Sequence, residues 1–117
     1  MKTMYELYYH SEVNPYKNYE PTSNQELRKI TMPDDVESPS LTFEMSGRFD
    51  SDQAIAYDTL EEVFEHIESD VKLHIRKPDE GIIDVVINGK PVPEIDSMFK
   101  EWTSDELDKI EKLMANR

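Results

Sequence analysis

The chain has 117 residues, 37% of them hydrophobic, with 26 acids against 13 lysines and arginines, a net charge of −13 and no cysteine. That length suits one domain with a modest core, and without cysteine there are neither disulfides nor thiolate metal sites. The charge argues against nucleic acid or an anionic membrane as the main partner, because both need a positive footprint.

From the N-terminus, MKTMYELYYHSEV is acidic and aromatic and lacks the apolar stretch and cleavage site of a signal peptide. No apolar run reaches the roughly eighteen residues of a membrane span, so a cytoplasmic protein is expected. Residues 4–10 alternate as a strand, with Tyr5, Leu7 and Tyr9 on one face. Residues 14–24 form a turn-rich loop holding Pro15, Pro21, Tyr16 and Tyr19. Ser23 and Glu26 have capping-box spacing, which predicts a short helix over 24–31, stopped before Pro33. After a loop at 33–40, LTFEMSGRF alternates strictly and predicts a strand over 41–49, with Leu41, Phe43, Met45 and Phe49 inward.

Residues 57–70, YDTLEEVFEHIESD, follow. Asp58 and Glu61 have N-cap and N3 spacing, and Leu60, Val63, Phe64 and Ile67 form one apolar stripe. A helix over 58–69 is expected. Strands are expected at 71–77 and at 82–88, the second so apolar that it should be central. Asn88-Gly89 signals a hairpin, and KPVPEI an edge strand blunted by Pro91 and Pro93. Helical segments near 96–102 and 104–116 end the chain, the last with Leu107, Ile110 and Leu113 on one side. The fold class expected is α+β: a single domain over 1–117, with a mostly antiparallel four- to five-stranded sheet and helices packed on one face.

The excess charge is concentrated. Residues 41–70 hold nine acids and one base, Arg48, so eight of the thirteen excess negative charges sit in thirty residues. The last helix offsets its acids with Asp105–Lys109 and Asp108–Lys112 at i, i+4. The 58–69 helix has no lysine or arginine, and Glu61–Glu65 and Asp58–Glu62 are like-charge pairs, each costing about 0.2–0.5 kcal/mol on an exposed face. A cost without local compensation points to use elsewhere. Carboxylates at i, i+3 or i+4 rise about 4.5–6 Å along a helix, and phosphates advance about 3.4 Å along one DNA strand. A carboxylate ladder of that pitch can present a field resembling that of DNA to a basic protein. The partner-binding residues expected are Glu44, Asp50, Asp52, Asp58, Glu61, Glu62, Glu65, Glu68 and Asp70, with Tyr16 and Tyr19 as rim contacts. The bland alternative is a solvated helix face.

Other constellations are weaker. Asp50-Ser51-Asp52 opens like a calcium loop with Glu61 at its twelfth position, but Ala54 stands where a ligand is needed and Ile55 where the turn needs glycine. His10, His66 and His74 form no metal-binding pair, and no glycine-rich phosphate loop or nucleophile elbow is present. Neither metal, cofactor nor catalysis is expected.

The size, the YELYYHSEVNPYKNYEP opening and the DTLEEVFEHIESD helix resemble a small family of bacterial DNA-mimic proteins, understood to occupy the DNA-binding face of the histone-like protein HU. The resemblance spans the whole chain and rests on no catalytic or binding signature. It implies a non-enzymatic regulator of nucleoid-protein binding to DNA, with HU as partner. A monomer that binds neither nucleic acid nor membrane directly is the matching expectation. The same electrostatics suit a second class, an immunity protein that neutralises a basic nuclease toxin.

Overall fold

The computed structural model describes residues 1–16, 18, 20–68, 72–76, 86–87, 90–91 and 100–116. Its frame is a long hairpin. Strand β1 (Lys2–Asn14) pairs antiparallel with β2 (Glu20–Met32) from Lys2↔Met32 to Asn14↔Glu20. In the connecting turn Asn18 takes a φ of 55°, a left-handed conformation that asparagine tolerates. The β3–β4 hairpin (Ser40–Ser46 and Asp50–Tyr57) joins β1 through β4, and β5 (Lys72–Ile75) runs parallel to β2. The five-stranded sheet has the order β3-β4-β1-β2-β5. Its mostly antiparallel pairing and accompanying helices make the fold α+β, as expected.

The two helices of the described residues lie against one face. Helix α1 (Leu60–Phe64) and helix α2 (Ser104–Ala115) contribute Leu60, Val63 and Ile110 to a core shared with Leu7, Leu27, Tyr57 and Ile67. Trp102 stacks on Tyr5 with ring centroids 5.9 Å apart, and its indole N–H donates to the Arg76 carbonyl at 2.7 Å. On the opposite face Met4, Ile30 and Ala56 form a second cluster, covered by Met32 and by Val36 from the 33–39 loop.

The helix expected at 24–31 is part of β2 instead. Leu27 and Ile30 are three apart, which fits a helical stripe. In the strand they point to opposite faces, and both are buried because this part of the sheet is covered on both sides. Thirteen residue pairs with β1 outweigh the capping-box signal of Ser23 and Glu26. Strand β4 had no sequence expectation. Its buried Ala54 and Ala56 are weak strand formers, and its Asp50-Ser51-Asp52 lies in extended backbone.

Strand β3 was expected to point its apolar residues inward. A bulge between Leu41 and Phe43 instead splits them: Leu41 pairs with Ile55 and Phe43 with Ala54, on opposite faces. As an edge strand it leaves Leu41, Phe43 and Met45 at 53%, 44% and 49% exposure, and Phe49 in the hairpin turn is also exposed. Gly47 N–H closes that turn on the Asp50 carbonyl at 2.6 Å. Val86–Ile87 (β6) and Lys90–Pro91 (β7) pair in a separate two-stranded ladder, not in the centre of the main sheet. The Asn88-Gly89 turn, most of the 82–88 strand and residues 96–99 of the helix expected near 96–102 lie outside the described residues; Lys100–Trp102 are not helical.

Candidate partner-binding surface

The acidic segment folds differently from the three-turn ladder its spacing predicts. Helix α1 has five residues, and its N-cap is Thr59, not Asp58: the Thr59 hydroxyl accepts from the Glu62 N–H at 3.2 Å. The first turn carries Glu61 and Glu62, which suits the helix dipole, but no basic residue stands in the last turn. With Glu65 at the C-cap, continuation would add like charge at the negative end. The chain leaves the helix there, and Ile67 reaches the core from beyond it.

The counter-charges missing from the helix come from distant elements. Asp58 pairs with Lys2 at 2.9 Å, and Glu61 pairs with Lys109 of α2. The Lys109 contact draws the Glu61 carboxyl below its ordinary value. Glu62 accepts from the Ser38 hydroxyl at 2.8 Å. The expected i, i+4 partner of Lys109, Asp105, is left exposed and without an ion pair among the described residues. Exposed and unpaired in the same sense are Glu44, Asp50, Glu65 and Glu68.

These acids do not form one row. Asp50 and Asp52 share the sheet face opposite the helices, by their register with Glu12 and His10. Glu44 is in register with Gln53 on the helix face, and Glu68 lines a cleft with Gln53. Asp70 and Tyr19 lie outside the described residues. Tyr16 is 95% exposed, available for a rim contact.

Asp52 is buried and committed to structure. It accepts from the Tyr8 hydroxyl at 2.7 Å and contacts His10 Nδ1. Burial and this bond push the Tyr8 hydroxyl up to about 12. Beside it Arg28 lies 4.2 Å from the centre of the Tyr8 ring and binds Glu26 at 2.6 Å and Glu6 at 3.3 Å. Arg76, 3.5 Å from Glu26, adds a second arginine to this network of ion pairs within the sheet.

Hydrogen bonding to Asp52 raises His10 from its ordinary 6.5 despite partial burial, with Asp52, Glu12 and Asp50 adding negative field. A raised folded-state value means that protonated His10 stabilises fully below about pH 6.5, and that this stabilisation is lost as pH rises through the higher folded value. Comparing urea stability of the wild type and His10→Gln from pH 5 to 9 should show a gap at the acid end that closes at the alkaline end. A gap that widens with pH would contradict the assignment.

Two concave features carry the remaining acids. A groove of about 240 Å³ between the start of α1 and the first turns of α2 is lined by Asp58, Glu61, Asp105 and Glu106, with Lys109 and Tyr5. Asp105 and Glu106 were not expected at the surface in question. Their sequence reads as an ordinary helix start, and only the packing of α2 beside α1 brings them to Asp58 and Glu61. Glu106 is the anchored member. Burial opposes its charge, yet Lys29, the Tyr5 hydroxyl at 2.7 Å and the Thr103 N–H at 3.0 Å overcome this and pull its carboxyl down to about 2.

The second feature is a cleft of about 300 Å³ on the helix face of the sheet. Leu7 and Ile55 make its apolar part, and Tyr9, Gln25, Gln53, Tyr57, His66 and Glu68 its polar part. Tyr57 and His66 stack at 5.1 Å between centroids and 14° between planes.

No group of three potential metal ligands occurs among the described residues, and no helix there is long and apolar enough to cross a membrane. No protein-family model, no curated protein and no solved structure matches this chain.

Proposed function

We propose that this protein is a DNA mimic. Its carboxylates occupy the DNA-binding face of a basic DNA-binding protein, and so regulate how that protein binds DNA. The resemblance in the sequence makes the histone-like protein HU the first partner to test. The observation that carries this reading is the groove between α1 and α2, which Asp58, Glu61, Asp105 and Glu106 line together; Lys2, Lys109 and Lys29 each pair with one of them, and Asp105 has no ion pair among the described residues. Further negative charge comes from Glu65, Glu68 and Glu44, which no cation of the described chain offsets.

The lysines that do pair with this surface support the same reading. The Glu61–Lys109 and Asp58–Lys2 contacts are solvent-accessible, with about half of the Glu61, Lys109 and Asp58 side chains exposed. Exposed ion pairs of this kind hold little net energy. A partner lysine or arginine can therefore replace the internal cation at small cost.

The test is displacement of a labelled duplex from purified HU by increasing amounts of this protein. Displacement that does not depend on duplex sequence is expected. No displacement from HU, together with capture of a single basic nuclease, would overturn the mimic reading in favour of the immunity class.

A further inference from the structure

We propose that the cleft bounded by Gln25 and Glu68 receives an arginine side chain of the basic partner. This deepens the partner reading above and rests on it for the claim that the arginine belongs to a protein. Gln25 is 3% exposed, its Oε1 is buried without a hydrogen-bond partner, and it lines the cleft. Such a buried polar atom is rare in a native fold. Either orientation of the amide leaves one polar end inward; with a half-turn the carbonyl faces the cleft, where it can accept from a ligand, and the N–H₂ group takes the inward position.

The other walls share one chemistry. Glu68 is exposed and without an ion pair, and neither the Gln53 amide nor the Tyr57 hydroxyl has a hydrogen-bond partner among the described residues. All of them can accept hydrogen bonds. Tyr57 and His66 add a stacked, flat aromatic wall. A guanidinium has five donors, no acceptor and a planar cation that stacks on rings, so it matches this set. An ammonium is a compact point charge that matches the aromatic wall less well. An anion is disfavoured by Glu68 and by the net charge of −13. The chain already holds its own Arg28 by the same means on the opposite face, between Glu6, Glu26 and the Tyr8 ring.

The experiment is an NMR titration of the intact protein with three blocked tripeptides, Gly-Arg-Gly, Gly-Lys-Gly and Gly-citrulline-Gly, following the side-chain amides of Gln25 and Gln53. The arginine peptide is expected to shift both amides and to bind about tenfold more tightly than the other two. Gln25→Met is expected to reduce arginine-peptide binding about tenfold while leaving the melting temperature equal or higher, since it removes an unsatisfied buried atom. Glu68→Gln, at an exposed position, should weaken binding with no change in stability. Equal binding of the three peptides, or full binding by Gln25→Met, would overturn the proposal. The two readings fail separately. Loss of HU displacement with arginine binding intact removes the mimic, and displacement without arginine preference removes the pocket.

Discussion

Glu106→Gln is expected to cost about 2 kcal/mol of folding stability at neutral pH. The carboxylate joins three elements: Lys29 of β2, Tyr5 of β1 and the Thr103 cap of α2. Glutamine can still serve the cap, because capping boxes accept it. What it cannot do is balance Lys29, whose side chain is only 11% exposed and whose other acceptor among the described residues is the Glu101 carbonyl at 3.1 Å. The pH dependence follows from the depressed folded value of about 2 against an ordinary 4.5. Stabilisation is complete above about pH 4.5 and is lost as pH falls through about 2. Urea unfolding of both proteins should show a difference that is constant near neutrality and shrinks below pH 4.5. A difference that stayed constant through acid would mean that Glu106 acts through shape and not charge.

The second large effect concerns binding. Neutralising Glu61, Glu65, Glu68 and Asp105 to their amides should weaken competition with DNA by more than about tenfold, because it strips the groove and the cleft together. Neutralising Asp35, Glu37, Asp108 and Glu111 changes net charge equally at exposed positions without ion pairs among the described residues, and should alter competition by less than about threefold. Stability should move little in the first set, since its one ion pair, Glu61–Lys109, is solvent-exposed. Equal losses from the two sets would mean that total charge, not position, drives binding.

The contrast between parts of the fold that were legible in the sequence and parts that were not has physical causes. Strand β1 and helix α2 stood out because alternation and a capped 3.6-residue pattern each had one interpretation. The Thr103–Glu106 capping box is present; of the expected stripe Ile110 is buried and Leu113 partly so, while Leu107 is exposed. Strand β2 was misread because a strand buried on both faces near Leu27 and Ile30 mimics helical spacing. Strand β4 was missed because the buried residues of one face are Asp52, Ala54 and Ala56, and only Ile55 and Tyr57, next to the acidic segment, mark the other face.

The acidic segment was legible as charge but not as geometry. Its expected ladder assumed that repulsion had no answer within the fold, whereas Lys2 and Lys109 answer it from 56 residues upstream and 48 residues downstream in sequence. Asp52 read as one more surface acid until its partners Tyr8 and His10 placed it inside the sheet. Gln25 and Tyr57 carried no charge signal at all. Only burial and the cleft make them visible.

The most direct test of the central claim, that carboxylates here stand in for DNA phosphates, is the salt dependence of displacement. HU would be titrated with labelled duplex and this protein at several salt concentrations, and its affinity for each measured separately. Carboxylates spread over a groove and a cleft are sparser than duplex phosphates and condense fewer ions, so binding them should release fewer ions than binding DNA. The expected result is an affinity for this protein that weakens with salt on a shallower slope than the affinity for DNA, with Tyr16 as an exposed apolar contact flattening it further. Competition should then be better near physiological salt than at very low salt. Displacement that disappears as salt reaches the physiological range, or that fails at every salt, would contradict the account.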